Sequence, residues 1–202
     1  MDVGLYGGTF DPPHNGHVAV AHAAKEHFGL PRLVVLVAAT PVHKDVHSDA
    51  ETRLELARAA FPDDDVRLDP YARTVDMLRT GEFDDPLFVI GADQFCDFLT
   101  WKEPDAVLEL ARLAVATRPG FPQGELDAVL GELARPERVL FFDLEPNPAA
   151  SRDVRALVEA GKPLDEVVPP AVAALIAERG LYRDHRRPQA VATLPSDSDE
   201  GR

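Results

Sequence analysis

The chain reads as α/β, a doubly wound parallel sheet in a single domain, and three observations predict it. Strand-like and helical segments alternate along the length. Several strand segments are β-branched and apolar on both faces, as a parallel sheet covered from both sides requires. A length of 202 residues with 45% hydrophobic content suits one domain with a sizeable core. In chain order, strands are expected at 3–6, 33–38, 66–68, 87–90, 113–116 and 139–142. The second of these, Leu33-Val34-Val35-Leu36-Val37-Ala38, has no polar position and so must be buried from both sides. Helical patterns lie between them at 15–28, 50–60, 74–80, 104–110 and 125–133, and two more at 151–160 and 170–178 close the domain. No internal repeat or interdomain linker interrupts residues 1–183. From Asp184 the composition changes to His185-Arg186-Arg187-Pro188 and then to the acidic Ser196-Asp197-Ser198-Asp199-Glu200, so residues 184–202 are expected to form a disordered tail.

Charge narrows the function classes. With 21 Lys and Arg against 35 Asp and Glu, the formal net charge is −14, which argues against a nucleic-acid partner or a membrane-binding surface. No apolar run approaches the ~20 residues that cross a bilayer, and the start Met1-Asp2 lacks the basic and apolar regions of a signal peptide, so a cytoplasmic location is expected. The single cysteine, Cys96, cannot form an internal disulfide, and its place between Phe95 and Phe98 reads as core. An anionic ligand must therefore find a local exception to the overall charge. His14, His17, Lys44, Arg118, Arg152 and Arg155 supply one, because they stand at turn-like junctions between strands and helices, where α/β folds place ligands.

The strongest local signal is Gly7-Gly8-Thr9-Phe10-Asp11-Pro12-Pro13-His14-Asn15-Gly16-His17, directly after the first strand. Glycines let backbone N–H groups approach an anion, Phe10 anchors the loop from beneath, and the proline pair stiffens the approach to an electropositive helix N-terminus. His14 and His17, three apart at a helix start, project from one face. Gly16 in the first turn implies a close approach to the backbone there. The ligand these features suit is a polyphosphate. The run is not a Walker loop, since no Gly-Lys-Ser/Thr follows, and it lacks the third glycine of the dinucleotide fingerprint. His14, His17 and His22 show no His-Glu-x-x-His spacing and there is no cysteine pair, so no protein-held metal is expected.

These residues resemble the nucleotidyltransferases with a His-x-Gly-His signature and, among them, the bacterial nicotinate mononucleotide adenylyltransferases. The resemblance spans residues 1–183 through motifs in the family's order: Pro41-Val42-His43-Lys44, Ile90-Gly91-Ala92-Asp93, Thr100-Trp101, Thr117-Arg118-Pro119-Gly120 and Gly180-Leu181-Tyr182. It implies a Rossmann-like nucleotidyltransferase fold and adenylyl transfer from ATP, with Mg2+ on its phosphates, to nicotinate mononucleotide, a step of NAD biosynthesis. It implies roles as well. His14, His17 and Arg155 would be catalytic. Gly7, Gly8, Thr9, Phe10, Gly91, Asp93, Ser151 and Arg152 would bind ATP, with Ser151 also capping the helix that follows. His43, Lys44, Thr74, Trp101 and Arg118 would bind the mononucleotide, Trp101 as a stacking platform for the pyridine ring. Asp93 has a second reading, that of a helix cap. A homo-oligomer is compatible with all of this.

Two stretches depart from the family's pattern. Where it has Ile-Ser-Ser-Thr-x-x-Arg, this chain has Ala149-Ala150-Ser151-Arg152-Asp153-Val154-Arg155, with fewer hydroxyl donors and an added cation. Where it has Ser-Tyr-Thr, this chain has Ala72-Arg73-Thr74, and Arg73 either favours the negative nicotinate or faces solvent. A sibling enzyme acting on nicotinamide mononucleotide or phosphopantetheine, and a non-catalytic nucleotide-binding paralogue, are the alternatives.

Overall fold

Six strands run parallel in the order β3-β2-β1-β4-β5-β6 in a computed structural model that describes residues 3–41, 46–145 and 149–183. They are β1 (Gly4–Gly8), β2 (Leu33–Ala38), β3 (Asp65–Asp69), β4 (Leu87–Gly91), β5 (Arg112–Thr117) and β6 (Val139–Asp143). The helices are α1 (Asn15–Phe28), α2 (Ala50–Ala60), α3 (Thr74–Leu78), α4 (Ala92–Cys96), α5 (Pro104–Leu110), α6 (Gln123–Glu132), α7 (Ser151–Glu159) and α8 (Pro170–Arg179). Strand alternation sends two sets of side chains to opposite faces. Leu5, Val34, Leu36, Phe88, Ile90, Leu113 and Val115 pack with residues of α3 to α6 on one side. Tyr6, Val35, Val37, Leu87, Val89, Ala114 and Ala116 pack with α1, α2, α7 and α8 on the other. This is the doubly wound sheet the alternation predicts.

Element boundaries follow local chemistry. Gly29 ends α1 in the left-handed conformation, with its N–H returned to Glu26. α3 stops at Leu78 instead of continuing to residue 80, because the Thr80 hydroxyl donates to the Met77 carbonyl at 2.7 Å and Gly81 follows at φ +71°. α4 has no counterpart among the expected elements, since five residues are too few to show a helical period. Cys96, at its end, is half-buried against the core beside Glu125; burial and that carboxylate both push the thiol up, consistent with an inert side chain.

The topology positions the site. From β1 the chain winds to β2 and β3 on one side, then crosses to β4, β5 and β6 on the other. The carboxyl ends of β1 and β4 therefore flank the crevice where winding reverses, the place a ligand enters such sheets. No helix among the described residues is long and apolar enough to cross a membrane. His43, Lys44 and the tail after Asp184 lie outside the described residues.

Candidate active site

A cavity of about 520 Å³ opens at this crevice, lined from β1 and its following loop by residues 6–11, from α1 by His14 and His17, from α7 by residues 150–152 and Arg155, and by His47 and Gln94. Thus His14, His17, Arg155, Gly7, Gly8, Thr9, Phe10, Ser151 and Arg152 come together although 140 residues of chain separate Phe10 from Ser151.

The glycines act differently from the sequence-based expectation. Gly7 and Gly8 lie in β1 and carry no positive φ; the left-handed residue of the loop is Phe10, at φ +52°. A Cβ on Gly8 would sit 2.7 Å from the Phe10 ring, and one on Gly7 3.1 Å from the Phe88 ring. The glycines are there so that two phenyl rings can lie against β1. Phe10 is 1% exposed and meets Tyr6, His17 and Phe61 edge-on, so the loop is anchored from beneath as expected. Packing of this kind holds a bulky residue in a sparsely populated conformation that costs on the order of 1–3 kcal/mol. Gly16 makes room for protein: a Cβ there would stand 3.0 Å from the His14 imidazole and 3.4 Å from the Ala149 carbonyl.

His14 is the N-cap of α1 and is 8% exposed. Its backbone N–H donates to Nδ1 of His17 at 3.2 Å, and the two rings lie 3.7 Å apart. The tips of α1 and α7 both face the cavity, bringing two positive helix ends to one place. Ser151 is not the cap of α7. Ala150 occupies that position, and the Ser151 hydroxyl donates to the Pro12 carbonyl at 2.8 Å. Arg155 donates through Nη1 to the Asp11 carbonyl at 2.7 Å, and its side chain lines the cavity. The two bonds dock α7 on the loop. Arg152 is exposed at the cavity rim beside Asp153.

Asp11 is the one carboxylate among the described residues that line the cavity, and it is engaged. At 3% exposure, its Oδ1 accepts from the Tyr182 hydroxyl at 2.7 Å and its Oδ2 from the His47 N–H at 2.5 Å. Burial pushes the Tyr182 phenol far above its ordinary range, so it remains a donor. Among the described residues no group of three or more His, Cys, Asp or Glu is placed to hold a metal. The described walls thus offer donors and cations, which suits an anionic phosphate chain.

The remaining site residues fall elsewhere on the carboxyl edge of the sheet. Gly91 caps α4, Asp93 is exposed in its first turn and is not the cap, and neither lines the cavity, where Gln94 is the contributor from α4. Arg118 follows β5 and is exposed. Thr74 starts α3, and Trp101 lies in the loop before α5. Two ion pairs, Lys102 with Asp76 and Arg79 with Glu103, tie that loop to α3 and bring Thr74 and Trp101 onto adjoining elements. Trp101 is half-buried, edge-on to Phe98 and Phe88, and Phe88 is the ring that covers Gly7. The indole stands one ring from β1.

Sequence reasoning missed Asp11, His47, Gln94 and, above all, Arg53. That guanidinium is 1% exposed and donates to the carbonyls of Thr9, Ala38, Ala39 and Ser48. A signal existed: Arg53 takes the first position of the helical stripe 53, 56, 57, 60, whose other members are Leu56, Ala57 and Ala60.

Comparison with known proteins agrees with this geometry. The cytidylyltransferase-like family matches residues 5–161. The chain is 34% identical over 205 residues to a Rubrobacter xylanophilus protein named "Probable nicotinate-nucleotide adenylyltransferase", covering 93% of this chain and 95% of that one. A Thermus thermophilus protein of the same name is 35% identical over 195 residues, 91% of this chain and all of its own. The fold is similar to that of Plasmodium falciparum nicotinic acid mononucleotide adenylyltransferase complexed with NaAD, with a TM-score of 0.71 over 90% of this chain and 97% of that one at 15% identity. The chain belongs to the cytidylyltransferase-like family and, within it, to the nicotinate-nucleotide adenylyltransferases.

Proposed function

We propose that this protein transfers the adenylyl group of ATP to nicotinate mononucleotide, giving nicotinate adenine dinucleotide and pyrophosphate, a step of NAD biosynthesis. One observation carries this reading: two helix N-termini, two adjacent imidazoles and two guanidinium groups converge on a cavity whose single carboxylate among the described lining residues is already bonded. That is a site for a triphosphate, and the family's printed activity supplies the acceptor.

The chemistry needs no general base. A phosphate monoester has a second pKa of about 6, so the acceptor phosphate arrives ionised. Its oxygen attacks the α-phosphorus of Mg·ATP in line; the bond from the α-phosphorus to the bridging oxygen breaks, and pyrophosphate leaves with that electron pair. The protein must align two anions that repel each other and stabilise charge on the transferring and leaving groups. His14 and His17 face the phosphates beside β1, with the backbone of residues 7–10 as cradle. Arg155 and Arg152 at the tip of α7 take the departing pyrophosphate. Thr74 and Trp101 hold the pyridine mononucleotide on the α3 side, and Lys44, His43 and Arg118 meet its phosphate.

The test is pyrophosphate release from ATP and magnesium with nicotinate mononucleotide, nicotinamide mononucleotide and phosphopantetheine offered separately. Release with nicotinate mononucleotide, abolished by EDTA, supports the reading. Release with phosphopantetheine alone, or none with any acceptor, overturns it.

A further inference from the structure

Arg53 projects from α2 into the protein, and its fork joins the cavity rim after β1 to the carboxyl end of β2. Nη1 donates to the Thr9 carbonyl at 3.0 Å, on the rim that follows β1, and to the Ala38 carbonyl at 2.7 Å, at the end of β2. Nη2 reaches the Ala39 carbonyl at 3.1 Å and Nε the Ser48 carbonyl at 3.2 Å, at both ends of the segment that carries His43, Lys44 and His47. Burying a guanidinium is costly unless its donors are met, and here backbone oxygens meet them. Asp11, which adds a favourable field, spends its own oxygens on Tyr182 and His47. The charge is thus given over to placing main chain.

The Thr9–Phe10 peptide shows what that placement achieves. The one cis bond among the described residues is Asp11–Pro12, so this peptide is trans, and its carbonyl and N–H point in opposite directions. Arg53 takes the carbonyl from the buried side. The Phe10 N–H then points away from Arg53, and both residues of this peptide, Thr9 and Phe10, line the cavity.

We propose that Arg53 is a positioning residue for adenylyl transfer: it aims the Phe10 N–H at the phosphate under attack by tying the Thr9–Phe10 peptide to the carboxyl end of β2. This rests on the adenylyl-transfer reading above. A lysine would keep the charge, but its ammonium lacks the planar fork that reaches four carbonyls.

The experiment uses the full chain, with Arg53→Lys and Arg53→Gln beside the wild type. Initial rates with Mg·ATP and nicotinate mononucleotide are measured, together with the amide resonance of Phe10. In folded Arg53→Lys, kcat is expected to fall about a hundredfold, the scale on which a misplaced group costs rate. Both KM values are expected to stay within about threefold, since the loss falls on the transition state. The Phe10 amide nitrogen should shift more than those of α6, far from the site. Wild-type-like kcat in folded Arg53→Lys, or a lowered kcat with the Phe10 resonance unmoved, overturns the proposal. Failure of both variants to fold would make Arg53 a purely structural residue and overturn it too. A wild type that releases no pyrophosphate with any acceptor fails the adenylyl-transfer reading instead, so the two failures are distinguishable.

Discussion

The backbone N–H of His14 donates to Nδ1 of His17 at 3.2 Å, and that bond decides which nitrogen of His17 carries hydrogen. A backbone N–H can only donate, so Nδ1 holds a lone pair and neutral His17 carries its hydrogen on Nε2, as a donor for the cavity it lines. His17→Ala is expected to lower kcat by about two to three orders of magnitude, the loss seen on removing one donor to a charge that develops in the transition state. Stability should fall by about 1 kcal/mol as the cap contact goes. Pyrophosphate release and a urea unfolding curve check both, and near-normal turnover would sink the assignment.

Gly16→Ala sets helix propensity against packing. Alanine in a helix interior is better than glycine by about 1 kcal/mol. Here the new Cβ would lie 3.0 Å from the His14 ring, which is buried and has His17 beside it. The expected outcome is no gain in melting temperature and about a tenfold loss of kcat, because the imidazole must move. A stabilised variant with unchanged turnover would contradict this.

Ser151→Ala removes a half-buried donor to Pro12, one of the two bonds that dock α7. The expected cost is about 1 kcal/mol in urea denaturation. Because α7 carries Arg152 and Arg155, KM for ATP should rise while KM for nicotinate mononucleotide holds. An equal rise in both would place Ser151 outside the triphosphate side.

Trp101→Ala should separate the substrates the other way, raising KM for nicotinate mononucleotide and leaving KM for ATP unchanged in steady-state rates. Loss of the indole also exposes Phe98 and Phe88, so a small fall in melting temperature is expected. A selective rise in KM for ATP would refute the stacking role.

Acid stability should depend on Asp65. Hydrogen bonds from Arg67 and Arg32 hold its carboxyl well below the usual carboxylate range. A folded-state pKa below the unfolded one gives stability that is full above the unfolded value, about 4, and is lost as pH falls toward the folded value. Asp69 works in the opposite sense, since burial raises its pKa. Asp65→Asn should therefore flatten the fall in melting temperature below about pH 4. An unchanged acid slope would show that the pair contributes nothing.

Much of the fold was legible because its signals are local. The helices over residues 15–28, 50–60 and 104–110 and the strand over 33–38 agree with the structure residue for residue, for each is long enough, or apolar enough, to declare its period. α4 is hidden by its brevity, and Ser151 reads as a cap in the sequence because capping is a common use of a serine before a helix.

By itself the sequence determined a doubly wound sheet, a first strand that ends in two glycines and leads into a loop, two histidines at the start of α1 and the family these motifs mark. Their spacings are short, and backbone geometry over a few residues dictates what they build. Only the tertiary structure decided that α7 is docked on Asp11 and Pro12, that Gly7, Gly8 and Gly16 make room for rings of the protein itself, and that Arg53 ties the loop after β1 to the end of β2. Apart from Gly8 with Phe10 and Gly16 with His14, those relations join residues from 14 to more than 100 positions apart. They arise from which atoms the packed sheet brings within reach, a quantity no local pattern encodes.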